Sequence, residues 1–463
     1  MAAPRGGAMS DPMTPRSCVS SVVWPAIVGR NEAALLAMAF QLERSQWWSP
    51  HDLAAHQRGQ LAGLLRHAAR TVPWYRDRLA AAGLGGDAPI TEDRWARLPL
   101  LTRQDIRDHR AELASEEAPP DHGQTYARKT SGSTGEPLEV VGTEVTGFVW
   151  ESLVFRDDLW HGRDLRGRLV VIRSGRDAPD PLLVHDFPGW GYVSPALYET
   201  GPMTLFYHTM PLERQVEILE ARSPHYLLTY PSNARALCRL ARRRPVRLPD
   251  LRAVLTYGEP LGPDVRAACE ETWGAPVQDV YSCEELGILA LQCPRHPHYH
   301  VQSEAILLEI VDDEGRACAP GQIGRVVLTS LHNFAMPLLR YAIGDYAEAG
   351  GPCPCGRGLP VVARILGRRR NQVSLPDGRR AWPDAGAIWE AIPGVDQIQV
   401  VQEGPESVRA RYTRASPLSP REEPASRASL RRALGHPFRV TFSRQASIAR
   451  GANGKYETFF DSR

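Results

Sequence analysis

Residues 226–285 read YLLTYPSNARALCRLARRRPVRLPDLRAVLTYGEPLGPDVRAACEETWGAPVQDVYSCEE. Three short apolar runs stand in this stretch: Tyr226 to Thr229, Ala253 to Leu255 and Val277 to Tyr281. Each has the length and composition of a buried strand. Between them, Asn233 to Arg242 and Pro263 to Trp273 are of helical character. Just upstream, Leu169 to Ile172 reads as another strand and Leu212 to Ala221 as another helix. Strand and helix in alternation predict an α/β domain with a parallel sheet.

Working outward, Asn31 to Leu84 is helical in pattern, with Leu61, Leu64, Leu65 and Ala68 at helix spacing and Thr71-Val72-Pro73 as the stop. Trp74 and Tyr75 beyond it are expected to pack. Ile306 to Val311 and Gly324 to Thr329, joined through Asp312-Asp313-Glu314-Gly315, predict an antiparallel hairpin. After Leu366 the texture changes to a basic segment, Gly367-Arg368-Arg369-Arg370-Asn371, followed by a smaller α+β stretch. The expected organisation is a leader over 1–30, a large domain over 31–366, a hinge over 367–371 and a small domain over 372–463.

Composition narrows the function. Of the 463 residues, 43% are apolar and 23% charged, so a substantial core is expected. Lysine and arginine number 55 against 53 acidic residues, a net charge of +2, which argues against a nucleic-acid binder. No run approaches the ~20 apolar residues of a membrane span, and Met1 to Val28 lacks a signal peptide's apolar stretch. A cytoplasmic protein is expected, with its 8 cysteines reduced.

Four segments can carry chemistry. Thr130-Ser131-Gly132-Ser133-Thr134-Gly135-Glu136-Pro137 combines glycines that let backbone N–H groups converge with hydroxyls that add donors. That suits a phosphate cradle; a flexible linker is the other reading. Tyr257-Gly258-Glu259-Pro260 follows a strand, where ligands sit in open α/β sheets. Asp279-Val280-Tyr281-Ser282-Cys283-Glu284-Glu285 offers carboxylates for a hard cation, or the acidic first turn of a helix. Met336-Pro337-Leu338-Leu339-Arg340-Tyr341-Ala342-Ile343-Gly344-Asp345 ends in an Asp suited to vicinal hydroxyls, or to a turn.

In this order and spacing the segments resemble the adenylate-forming superfamily of acyl- and aryl-CoA ligases. Met336 to Tyr341, Cys353-Pro354-Cys355-Gly356-Arg357 and Arg364-Ile365-Leu366-Gly367-Arg368 resemble its phenylacetate–CoA ligase-like branch. The resemblance runs from about Trp47 to the C-terminus. It implies a large adenylate-forming domain of layered sheets and helices with a small mobile α+β lid. It further implies that Thr130, Ser131, Gly132, Ser133, Thr134 and Gly135 hold ATP phosphates, that Gly258, Glu259 and Pro260 line the adenine pocket, and that Tyr281 and Ser282 belong to the nucleotide site. Glu285 is the implied Mg²⁺ ligand, Asp345 the implied ribose ligand and Arg368 its partner at the hinge.

Gly451-Ala452-Asn453-Gly454-Lys455 resembles the family's terminal motif, whose lysine reaches the acyl carboxylate and the α-phosphate; a solvated tail lysine is the plain reading. The implied reaction joins a small-molecule acid to AMP with release of pyrophosphate, then passes the acyl group to the thiol of CoA or of an acyl carrier protein. Two departures stand out. Glu284 replaces the family's Ser/Thr, and Arg370 followed by Asn371 replaces its hinge acid. The second keeps open an amine or nitrite as acceptor, and a non-catalytic nucleotide binder is a further alternative. Three consecutive arginines at the hinge suit CoA phosphates, a solvated basic face being the more ordinary reading.

Cys293, Cys353 and Cys355, with one of His296, His298 or His300, suit structural zinc, His300 being favoured by the resemblance; plain thiols are the alternative. Phe148, Trp150 and Tyr230 are candidates for an aromatic acid pocket or for core. The remaining expectations are a homodimer, with neither nucleic acid nor membrane as partner.

Overall fold

The computed structural model describes residues 15–22, 24–86, 88–129, 138–174, 180–191, 197–451 and 455–463. The Thr130–Gly135 segment therefore lies outside the described residues. The predicted strands and helices are present with small shifts at their ends. Ala253–Tyr257 and Val277–Cys283 each run two residues further, and the helix expected from Asn233 begins at Pro231, a proline at the first turn where its missing N–H costs nothing.

Among the described residues the main sheet has twelve strands. Its parallel part, in spatial order, is Met203–Tyr207, Leu169–Arg173, Tyr226–Thr229, Ala253–Tyr257 and Val277–Cys283. Leu169 pairs in register with Met203 and Tyr226, and Tyr226 with Ala253. Beyond Val277–Cys283 the sheet turns antiparallel through Gly287–Gln292, Tyr299–Val301, Val361–Arg368, Tyr341–Ala349, Ile323–Ser330 and Ile306–Val311. His185–Phe187 closes the other edge.

Helices Leu212–Arg222, Pro231–Ala241 and Pro263–Trp273 cover the parallel strands, burying Val216, Leu219, Leu237 and Val265 against Val170, Leu227 and Val254. Each such side chain contributes about 1.5–3 kcal/mol on burial. The Asp312–Gly315 turn first bridges Val311 to Ala317, and the chain then loops round before strand Ile323–Ser330 pairs back, with Ile306 opposite Ser330.

Helix Pro50–Thr71 packs on the antiparallel half through Leu61, Leu64 and Leu65, while helix Arg30–Ser45 buries Leu35 in the core of the parallel strands with Leu169 and Val171. Trp74 and Tyr75 are buried. The Tyr75 hydroxyl donates to Pro337 O (3.1 Å) and accepts from Leu339 N (3.0 Å), so it fixes the Met336–Arg340 segment. Arg340 itself is buried at φ +50°, its guanidinium donating to the carbonyls of Trp95, Ala96 and Leu98, the last turn of helix Glu92–Arg97 and its end, and to Glu309.

A second core lies within residues 373–459, where Val400, Val408, Leu430, Phe438 and Phe459 are buried. Its four strands run in the order Arg439–Arg444, Ser407–Thr413, Gln397–Gly404, Phe459–Asp461, flanked by helices Ala385–Glu390 and Glu422–Leu434. No helix among the described residues is long and apolar enough to cross a membrane.

Candidate active site

The turn Gly258-Glu259-Pro260 leaves strand Ala253–Tyr257 at its carboxyl end, and three distant parts of the chain meet there. Gly258 has φ +76°, a conformation costly for any side chain, and a Cβ would also approach the Tyr230 ring at 3.2 Å and Lys455 Cε at 3.9 Å. Lys455, 197 positions on in sequence, is thus seated over this turn. The Glu259 carboxylate accepts from Ser232 N (2.9 Å) and Tyr456 N (2.8 Å), and Arg450 Nη1 lies 3.4 Å away. Pro260 packs on Gly367, since a Cβ there (φ +100°) would stand 3.2 Å from its Cγ.

A second knot joins the ends of neighbouring strands. Tyr281 donates its hydroxyl to Asp345 Oδ2 (2.9 Å), and Arg368 Nε stands 3.4 Å from Asp345 Oδ1. Asp345 and Arg368 are also register partners, so the backbone ladder itself holds acid and base together. Burial first, and then the Asp345 carboxylate, push the Tyr281 phenol well above its ordinary range, so it remains a donor. Ser282 is partly exposed and pairs in register with Ile288.

Glu284 and Glu285 do not begin a helix. Residues 284–286 form the turn of a hairpin between strands Val277–Cys283 and Gly287–Gln292. Glu284 points outward and is exposed, whereas the Glu285 side chain is 5% exposed. Its Oε1 accepts from Tyr341 (3.2 Å) and pairs with Arg103 Nη1 (3.3 Å). Oε2 has no partner among the described residues and Glu285 lines a recess, so a hard, oxygen-seeking cation fits this carboxylate. Arg103 opens helix Arg103–Asp108, capped by the reciprocal Thr102–Asp105 box. Nothing in its sequence setting separates it from other surface arginines; only the fold carries it to Glu285.

Within the segment expected as a hinge, Arg369–Asn371 form a short 3₁₀ turn. Arg370 Nε and Nη2 each lie 2.8 Å from Glu457 Oε1, and Asn371 donates to Phe459 O (2.8 Å) while accepting from Arg368 N (3.0 Å). Where an acid was expected, this chain places a cation and answers it with an acid two residues after Lys455.

Away from this face, Cys293, His300, Cys353 and Cys355 are buried with their ligand atoms all within 4.8 Å of one another. Cys293 and Cys353 sulfurs are 3.9 Å apart, and Cys355 Sγ is 3.4 Å from His300 Nε2. Tetrahedral zinc with Zn–S near ~2.3 Å and Zn–N near ~2.0 Å calls for such separations, so the four residues fit it. Burial pushes His300 down to about 4, keeping the imidazole neutral as a ligand must be. His298 Nε2 lies 2.9 Å from Cys353 Sγ, beside this set. Next to it, the Arg357 guanidinium lies over the Trp47 ring (4.8 Å) and the Trp160 ring (4.3 Å), joining the turn after the first helix to the end of helix Glu144–Trp160.

The three aromatic candidates separate. Phe148 packs against the core that holds Phe155, the Tyr230 ring lies tilted against Tyr257 (centroids 4.8 Å apart) beside Gly258, and Trp150 lines a small recess with Glu285.

A family model described as AMP-binding enzyme matches residues 90–336. The phenylacetate-coenzyme A ligase of Thermus thermophilus is 28% identical over 373 residues, covering 76% of this chain and 79% of that protein. A 2-hydroxyisobutyryl-CoA ligase in its postadenylation state, in complex with R3-HIB-AMP, superposes with a TM-score of 0.71 at 21% identity, covering 91% of this chain and 92% of the other. A structure of such a ligase in its thioesterification state gives 0.56 at 20% identity, covering 90% and 91%.

Proposed function

The chain belongs to the AMP-binding enzyme family, and on that premise we propose that it is an ATP-dependent acid–CoA ligase working through an acyl-adenylate. The observation that carries the reading is the meeting of Lys455, the hinge and Gly258-Glu259-Pro260 at one strand end, beside Asp345, Arg368 and Glu285. In the first step a carboxylate oxygen of the acid attacks the α-phosphorus of ATP, and the bond to the β-phosphate oxygen breaks, releasing pyrophosphate. Lys455 supplies the cation that lets two anions approach in a site shielded from water. Tyr281 and Arg368 hold Asp345 with its carboxylate toward the ribose hydroxyls. Mg²⁺ at Glu285 would neutralise phosphate charge. In the second step a thiolate displaces AMP after residues 372–463 turn about residues 367–371.

An aromatic acid, a zinc ion at Cys293, His300, Cys353 and Cys355, and the domain boundaries at 31, 367 and 372 belong to the same proposal. The Arg370–Glu457 pair favours one second reading, in which the hinge does not carry the lid to a CoA-competent position and an amine or nitrite accepts the acyl group. Acid-dependent ATP–pyrophosphate exchange over a broad acid panel tests the first step, and mass spectrometry with CoA, amines and nitrite tests the second. Lys455→Ala is expected to abolish pyrophosphate release while ATP binding, measured by calorimetry, persists. Absence of exchange with every acid would leave a nucleotide binder.

A further inference from the structure

Helix Pro231–Ala241 ends in a ridge of positive charge. Arg235 and Arg239 lie on it and Arg242 and Arg243 follow it, so the four stand along one side at helix spacing. Two of them are answered close by: Arg235 pairs with Asp264 (2.7 Å) and Arg242 with Glu271 (3.0 Å), both on helix Pro263–Trp273. The other two reach across to the second core. Arg239 donates from Nε to Val395 O (2.9 Å) and again from Nη2. Arg243 donates from Nη2 to Gly394 O (3.1 Å), and its Nη1 lies 2.5 Å from Asp396 Oδ1. Burial first, and then the like charges of Arg242 and Arg235, lower the Arg239 pKa, while Asp396 acts against them. A guanidinium in that company is settled by the carbonyls and carboxylate that residues 394–396 bring.

The same segment carries a ring into the contact. Trp389 is buried, and the guanidinium carbons of Arg235 and Arg239 stand 4.9 Å and 5.5 Å from its ring centroid. Nearby, Gly386 comes so close to helix Pro263–Trp273 that a Cβ on it would stand 3.3 Å from Asp264 Cβ. Trp389 also donates from Nε1 to Thr458 Oγ1 (3.0 Å), and its ring centroid lies 5.6 Å from that of Tyr456. Tyr456 follows Lys455, and its N–H is the one that Glu259 accepts. Trp389, Ile392, Val395 and Phe459 share one buried cluster, against which Tyr456 packs. Close-packed side chains move together, so a grip on residues 389–396 is also a grip on the segment that carries Lys455.

Resting on the ligase reading, we propose that Arg239 and Arg243 are a latch for the adenylating arrangement. They hold residues 394–396, and through Trp389 and Tyr456 they keep Lys455 over the Gly258 turn, so that the strength of the latch sets the balance between the two half-reactions. Both are positioning residues, acting through the segment they grip. The latch is separate from the contact at Glu259. Glu259 meets Ser232 in the first turn of helix Pro231–Ala241, whereas Arg239 stands in its last turn. A turn about residues 367–371 that carries Lys455 away breaks the bonds to Gly394, Val395 and Asp396 and returns both guanidinium groups to water, which eases release. Arg239 carries more of the grip, because the Arg243–Asp396 pair is half exposed (53% and 41%) and screened by salt.

The test reads the two half-reactions and the docking itself. R239M keeps an unbranched stem against Trp389 and removes the donors, and R239K keeps the charge without the fork. In R239M the docking equilibrium constant is expected to fall about 10-fold, the worth of one hydrogen bond to a charged group. Amide hydrogen exchange of the peptide holding Tyr456 should speed up by about that factor, with strands Ala253–Tyr257 and Val277–Cys283 unchanged. The ratio of thioester formation, from supplied acyl-adenylate and CoA, to ATP–pyrophosphate exchange should rise at least about threefold. R239K should fall between, and R243M should show the same pattern more weakly. An unchanged or lower ratio, or unchanged hydrogen exchange at Tyr456, would overturn the latch and leave the ligase reading standing. If the wild type gives no pyrophosphate exchange with any acid, the ligase reading falls and hydrogen exchange alone decides: faster exchange in R239M keeps the docking role of Arg239, and unchanged exchange removes it.

Discussion

Glu259 is the residue whose replacement most sharply tests how the segment carrying Lys455 is held. Its side chain is 5% exposed and joins Ser232 N, Tyr456 N and Arg450, so one carboxylate fastens the loop carrying Lys455 to the strand-end turn. A hydrogen bond to a charged group contributes about 1.5–3 kcal/mol. Glu259→Gln keeps an acceptor oxygen but removes the charge, so a loss of about 1–2 kcal/mol of docking energy is expected, a factor of about 5–30 in the docking equilibrium constant. ATP–pyrophosphate exchange, for which the proposed mechanism needs Lys455 in place, should fall by up to that factor. Thioester formation from supplied acyl-adenylate and CoA, which needs the other arrangement, should fall less or rise. A double-mutant cycle with Arg450→Met should give a coupling above about 0.5 kcal/mol. Equal losses in both half-reactions, or additive single mutants, would show that Glu259 does not act by docking the terminal loop.

Metal analysis of purified protein should find one zinc per chain, and Cys355→Ser should lower both the zinc content and Tm; zinc-free wild type would dismiss the site. Tyr75→Phe should cost about 1–3 kcal/mol in denaturant unfolding, because Leu339 N and Pro337 O lose their partner inside the core. Asp279 is buried between the Thr256 and Tyr299 hydroxyls, and burial raises its carboxyl to about 6. Its folded pKa exceeds the unfolded 3.8, so the folded state holds the extra proton and stability contributed by Asp279 should fall as pH rises from about 4 to about 6. The difference in Tm between wild type and Asp279→Asn should follow that window; a flat difference would count against it.

Much of the scaffold was readable from Tyr226–Glu285 because strand and helix periods are local properties of side-chain burial. The same locality left the setting of Glu284-Glu285 open. An acidic pair opening a helix and an acidic pair in a hairpin turn share one composition, and the choice rests on Gly287–Gln292 pairing back onto Val277–Cys283. Arg340 is similar: its place beside Tyr341 was plain, but its work in closing helix Glu92–Arg97 depends on a contact about 240 positions away.

Motif order and local pattern by themselves carried the family and the parallel sheet and put forward Lys455, Glu285 and Asp345 as proposed site residues, since each rests on residue type and spacing along the chain. Only the tertiary structure brought Arg103 to Glu285, Arg450 and Tyr456 to Glu259, Glu457 to Arg370, and Arg239 to Val395. Charged side chains give no periodic signal, and their partners are chosen by where the sheet and the small domain deliver them rather than by their neighbours in sequence.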